Sequence, residues 1–135
     1  GLTYAGSMSE VIAEHLAKVE GTTAAWQMEH RHDDRAKWFR VGNELRATDP
    51  CALLKAGFAK GDILTGARNK DEVTLGLLLV DWIVWIQRKV DRDVTLEYNL
   101  GDLPPNTWVI PNHGGLADLE SMAIEFANHI KKAAA

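Results

Sequence analysis

The sequence predicts a mostly helical α+β protein, with about five helices packed around a central apolar helix at about residues 71–91 and one short β-hairpin at about 94–110. Three observations support this prediction. Apolar residues recur at helical spacing near both ends of the chain. A long apolar run without a turn signal lies between them, and two short β-prone runs follow it.

The first helix is predicted from Met8 to Val19, where apolar residues recur three or four positions apart. Ser7 or Ser9 can cap its start, and Gly21 can end it, since glycine adopts the left-handed conformation that helix ends favour. We expect residues 1–7, which precede this internal methionine, to be an added remnant or a disordered terminus.

The second helix is predicted to begin at Thr22 or Thr23. Its apolar stripe stops at the wholly polar segment Glu29–Arg35 and resumes towards Leu45. One long helix with an exposed middle is the favoured interpretation, and two helices meeting near residues 32–34 are the alternative.

A short helix is predicted after Asp49-Pro50, because aspartate caps free amides and proline fits the first turn. We expect it to run to about Ala59 and to end before Gly61. Residues 61–70 carry Gly, Asp and Asn and are predicted to form a loop.

The central helix is predicted to start at Asn69 or Asp71 and to run to about Asp91. Its segment Val73–Ile86 is apolar on nearly every side, as a helix at the centre of a domain would be. A pair of buried strands is the competing interpretation, since Ile, Val and Trp also favour sheets. The segment is too short for a membrane span and contains Asp81.

The hairpin is predicted from two β-prone runs, Val94–Asn99 and Thr107–Ile110, joined by a connection rich in Gly and Pro. After a loop, an amphipathic stripe starting at Leu116 predicts a final helix that ends near Lys132.

Composition indicates one domain over residues 1–135, with 46% hydrophobic and 25% charged residues. The net charge of −4 and the scattered Lys and Arg residues argue against a nucleic-acid partner. The single cysteine, Cys51, argues against a disulfide framework and favours a reducing compartment. We therefore expect a soluble, cytoplasmic protein that does not bind membranes.

The densest group of chemically active residues is the polar cluster of Glu29, His30, His32, Asp33 and Asp34. On one continuous helix, Glu29 would face Asp33 and His30 would face Asp34. His30, His32 and Asp34 are candidate metal ligands, and Glu29, His30, Asp33 and Asp34 are candidate catalytic groups. The alternative is a solvated polar face with internal ion pairs, because no recognised metal motif accompanies the cluster.

Four further residues are candidates for contact with a ligand or a partner. Trp26 and Trp38 flank the polar cluster, and large aromatic residues are enriched at interfaces. His113 precedes the final helix, and Asp81 is either a buried carboxylate with a partner or the mark of an exposed edge. Core positions for both tryptophans are the competing interpretation.

No nucleotide-binding, zinc or hydrolase motif is present. The sequence therefore favours a binding or interaction module that works as a homodimer or with another protein partner, without a cofactor. The alternative is an enzyme, a hydrolase assisted by a divalent metal at the polar cluster; the sequence does not decide between them.

Overall fold

The computed structural model describes residues 1–87, 103–105 and 107–134. Contacts divide the chain into two compact units, unit 1 (Gly1–Leu79) and unit 2 (Val80–Ala135). The described residues form six helices and two short parallel sheets, which confirms a mostly helical α+β fold. The expectation of a single domain stays a prediction, because a division by contacts does not test it.

Unit 1 consists of two strands and five helices. In chain order they are β1 (Tyr4–Ser7), α1 (Met8–Glu20), α2 (Ala24–Glu29), α3 (Arg35–Arg46), α4 (Ala52–Phe58), β2 (Ile63–Thr65) and α5 (Lys70–Gly76).

Strand β1 pairs in parallel with β2, with Tyr4 opposite Ile63. Just before the pair, Asp62 accepts hydrogen bonds from the backbone amide and the hydroxyl of Thr3, both at 2.9 Å. Residues 1–7 therefore include an ordered strand, Tyr4–Ser7, whereas the expectation that they are an added remnant stays a prediction. The predicted loop at 61–70 likewise contains β2.

Helix α1 begins where β1 ends. The Ser7 hydroxyl accepts the Glu10 amide at 3.3 Å, and the Glu10 carboxylate accepts the Ser7 amide at 2.7 Å, which together form a capping box. The helix ends at Gly21, whose φ of 68° is left-handed. Both ends agree with the sequence prediction.

The prediction of one long second helix is wrong, and the alternative of two helices that meet near residues 32–34 is confirmed. Helix α2 begins at the predicted cap, where the Thr23 hydroxyl accepts the Trp26 amide, and it ends at Glu29. Asp34 then accepts the Lys37 amide at 3.0 Å and starts α3. An aspartate that caps a new helix competes with helical continuation, which explains the break.

The core of unit 1 is formed by α1, α3 and α4. Trp38, Leu45, Phe58 and Leu64 pack around a cluster of buried side chains from these helices and Cys51: Met8, Val11, Ile12, Leu16, Val41, Cys51, Leu53 and Leu54. Burial of these apolar groups supplies the main favourable term for folding of this unit.

The prediction of a central helix at about residues 71–91 is also wrong. Helix α5 starts at the predicted cap, Asn69, but it ends at Gly76, and Val84–Gln87 forms strand β3. A Cβ atom at Gly76 would lie 2.5 Å from Leu54 Cδ1, so the helix ends in tight packing. The Val, Trp and Ile side chains of β3 favour a strand. The competing interpretation of two buried strands is also wrong, because the run Val73–Ile86 contains one strand whose residues are mostly exposed.

Unit 2 contains β3, strand β4 (Trp108–Pro111) and helix α6 (Leu116–Ala134). The predicted second β-prone run is confirmed as β4, but its described neighbour is β3, in parallel. The predicted partner, Val94–Asn99, lies outside the described residues. In the described part of the chain, no helix is long and apolar enough to span a membrane.

Candidate functional site

The polar cluster forms the junction between α2 and α3. Glu29 is the last residue of α2, and His30–Asp34 form a turn. The four-residue spacing that would align Glu29 with Asp33 and His30 with Asp34 requires a continuous helix, so this predicted pairing is wrong.

Trp26 and His30 form a stacked ring pair at this junction. Their ring centroids are 4.0 Å apart and their planes differ by 18°. His30 Nδ1 lies 2.8 Å from the Trp26 carbonyl oxygen, which can only accept, so Nδ1 carries a proton and donates. The Trp26 side chain remains 45% exposed. The result is an oriented aromatic surface.

The other residues of the polar cluster are engaged locally. Arg31 Nε donates to His32 Nε2 at 3.3 Å, and Asp34 caps α3. Within the described residues, no group of three or more His, Cys, Asp or Glu side chains is arranged to hold a metal ion. The metal hypothesis for His30, His32 and Asp34 thus gains no support here and stays a prediction.

A buried glutamine fixes the position of α2. Gln27 donates to Glu20 at 2.7 Å and to the Thr22 hydroxyl at 2.8 Å, while Lys37 Nζ lies 3.0 Å from Glu20. The hydrogen bond from Gln27, and then the one from Lys37, lower the pKa of Glu20 below its usual range. Glu20 therefore joins α1 to α2 through Gln27 and to α3 through Lys37.

The remaining interface candidates lie in different surroundings. Trp38 packs against the core of unit 1, so only Trp26 of the two flanking tryptophans is exposed. Asp81 is exposed and precedes β3, so the alternative of a buried carboxylate on a central helix is wrong. His113 is exposed in the turn between β4 and α6. Trp26 and Trp38 thus belong to unit 1, and Asp81 and His113 belong to unit 2.

Cys51 is a core residue. Its side chain is buried, and burial, followed by the charge of Asp49, raises the pKa of its thiol. A raised thiol pKa disfavours the thiolate, which is the nucleophilic form.

A group of exposed leucines lies at the end of α5 and just after it. Four leucines lie within five residues and are 38–92% exposed; we call them the leucine run: Leu75, Leu77, Leu78 and Leu79. This segment belongs to the predicted central helix, which a small domain could hardly enclose on every side. Its helical continuation is absent, and its leucines lie at the surface.

Unit 2 contains an aromatic group that the sequence analysis missed. His129 lies 5.0 Å from the Trp82 ring and 4.6 Å from the Trp108 ring, centroid to centroid. Phe126 contacts the same two rings at 5.9 and 5.3 Å. The available signal was the spacing of Phe126 and His129, which places both on one side of α6.

Comparisons of the chain with protein-family models, curated proteins and solved structures gave no match. The proposal for its function therefore rests on the geometry of the chain.

Proposed function

We propose that this chain is a protein-interaction module that associates with a second copy of itself, with the leucine run as the apolar centre of the contact. The observation that carries the proposal is the exposure of four leucines within five residues, with Leu78 at 92%. Exposed apolar patches of this kind mark interaction surfaces in soluble domains.

The exposure of the leucine run does not come from a detached helix. Glu72, on α5, is fully buried and its Oε2 lies 2.8 Å from Nε of Arg46 on α3. Gly76 packs closely on Leu54. Glu72 and Gly76 thus anchor α5 in unit 1, and the leucine run begins within this anchored helix, at Leu75.

A second copy is the partner favoured by the chemistry of the run. The segment from Leu75 to Leu79 contains four leucines and one glycine, without charge. Apolar surface is complementary to itself, as the shared patch of a twofold dimer must be. Burial of each leucine stabilises association by about 25 cal/mol per Å² of apolar surface removed from water.

The alternative, a metal-assisted hydrolase, lacks a comparable observation. Among the described residues, its candidate ligands at the α2–α3 junction are not arranged around a common point.

The test is the mass of the assembly, measured by native mass spectrometry and sedimentation equilibrium over a range of protein concentrations. We expect the parent chain to be larger than a monomer and Leu78→Glu to lower its mass, since burial of a carboxylate in an apolar contact is costly. Leu2→Glu is the matched control, because Leu2 is another exposed leucine outside the run. A monomeric parent, or a Leu78→Glu variant of unchanged mass, would overturn the proposal.

A further inference from the structure

Helix α6 has two apolar sides. One side contacts the aromatic rings of Trp82 and Trp108 through Phe126 and His129. The other follows the spacing i, i+4, i+7, i+8, i+11 and i+15, which defines one stripe along a helix. We call this set the outer stripe: Leu116, Glu120, Ala123, Ile124, Ala127 and Lys131.

The outer stripe exposes its large apolar residues. Leu116 is 84% exposed and Ile124 is 55% exposed. Ala123 and Ala127 lie beside Ile124 on the stripe, and small residues allow a second helix to approach closely. The stripe therefore has the composition of a helix-packing surface that the described residues leave open.

The two charged residues of the stripe, Glu120 and Lys131, have no ion-pair partner among the residues that the structure describes. No residue three or four positions from Glu120 or Lys131 within α6 is charged, so neither belongs to an intrahelical pair. No ion pair joins either side chain to another described residue. The described part of the chain thus supplies no ion-pair partner for either charge.

The charges of α6 are divided between its two halves. Asp118, Glu120 and Glu125 precede the basic residues near its end: His129, Lys131 and Lys132. Two copies of such a helix repel when parallel, because like charges meet, and attract when antiparallel.

We propose that α6 pairs antiparallel with α6 of a second copy through the outer stripe. With the twofold axis midway between Glu120 and Lys131, each Glu120 lies opposite Lys131 of the other copy. The same register places Ile124 against Ala127 of the second copy, and Leu116 against its last helical turn. Both ion pairs and the apolar centre are thus formed in one arrangement, as a twofold contact requires.

This contact is separate from the leucine run, although both have a second copy as partner. Unit 2 carries the outer stripe and unit 1 carries the leucine run. If the two contacts have different twofold axes, the parent chain assembles beyond two copies and loss of either contact leaves dimers. If they share one axis, the parent chain is a dimer that loss of either contact weakens. A single helix pair is at the small end of interface sizes, so we expect an affinity in the micromolar range.

The test isolates the helix contact in the Leu78→Glu background, with mass measured by sedimentation equilibrium. We expect that variant to be a dimer and the further change Glu120→Lys, or Lys131→Glu, to make it a monomer. An equimolar mixture of these two monomeric proteins should form dimers again, because each supplies the charges that the other has lost. Combining both charge changes in one chain should also restore the dimer.

The control for folding is circular dichroism of each variant, which should match that of the parent. A Leu78→Glu variant that is already monomeric, or one whose mass is unchanged by Glu120→Lys, would overturn the helix contact while the leucine run remained testable alone. A Leu78→Glu variant of parental mass that Glu120→Lys converts to a monomer would support the helix contact and overturn the leucine run. A monomeric parent would overturn both.

Discussion

The two units differ in the internal contacts that stabilise each of them. Unit 1 has a cluster of eight buried residues contributed mainly by three helices. In the described part of unit 2, Ile110 is the one buried apolar residue, at 5% exposure, and α6 buries none of its residues fully. Ring contacts between half-exposed side chains take the place of a dry core there.

This difference indicates which of the two units would gain more stability from association with a partner. A unit with a buried apolar core derives its stability from the burial of its own apolar side chains. A unit whose described helix has no fully buried residue gains more from a partner, because any ligand that binds only the folded state stabilises it. The exposed outer stripe of α6 and the lack of fully buried residues in α6 therefore both favour stabilisation of this helix by a partner.

The strongest test of this comparison is removal of core volume from unit 1. Leu53→Ala truncates a side chain that is almost fully buried in the cluster. We expect a loss of about 2–5 kcal/mol in the free energy of unfolding, from lost burial and the cavity left behind. Chemical denaturation monitored by circular dichroism measures it. Leu2→Ala, at an exposed leucine, should change stability by less than about 0.5 kcal/mol; equal effects of the two would contradict the comparison.

A smaller effect is expected from the rings of unit 2. Phe126→Leu keeps an apolar side chain but removes the contacts with Trp82 and Trp108. Aromatic pairs contribute about 0.5–1.5 kcal/mol each beyond burial, so we expect a loss of about 1–3 kcal/mol. Hydrogen exchange of the α6 amides is the measurement, with Ser121→Ala on the exposed side as control. Unchanged exchange in Phe126→Leu would show that the rings do not hold this helix.

The smallest effect is the response of unit 1 to acid. The pKa of Glu20 is lowered, by Gln27 first and then by Lys37, so its carboxylate stabilises the folded form above the usual glutamate value of 4.5. That contribution is lost as pH falls below 4.5 through the lowered folded pKa. Denaturation between pH 6 and about pH 3 should show a steeper loss for the parent than for Glu20→Gln. Part of the slope should persist in the variant, because hydrogen bonds from Lys55 and Thr3 also lower the pKa of Asp49 and Asp62, respectively. Identical slopes would show that Glu20 does not contribute.

Local signals predicted much of the fold. The caps at Ser7, Thr23 and Asn69 and the stop at Gly21 were expected from residue type and are present. Each of these signals acts within a few residues of the helix end, which is the range over which a single sequence is informative.

Pairing over long distances was not predictable in the same way. Strand β1 has its partner near Ile63, and β3 pairs with a strand more than twenty residues later. Parallel strands cannot be joined by a tight turn, so their pairing cannot be predicted from a local turn signal in the sequence. The apolar run Val73–Ile86 had no such signal either, and its division into a helix end and a strand depends on packing at Gly76.

The candidate site was predictable in composition but not in geometry. The exposed Trp26 was among the interface candidates, and its four-residue spacing from His30 is compatible with their stacking at the end of α2, but the sequence analysis did not pair the two rings. The exposure of the leucine run depended on tertiary packing, and so did the aromatic group around His129. Neither follows from residue spacing alone.

The parallel pairing of β1 with β2 also bears on the order of folding. The residues that tie these strands together, Thr3 and Asp62, are 59 positions apart in the chain. Closure of so long a loop costs entropy before the strands gain any contact, whereas α1 and α2 are neighbours in sequence. We therefore expect the helices of unit 1 to form before the amino-terminal strand pairs with β2, which would make the first residues of the chain among the last to fold.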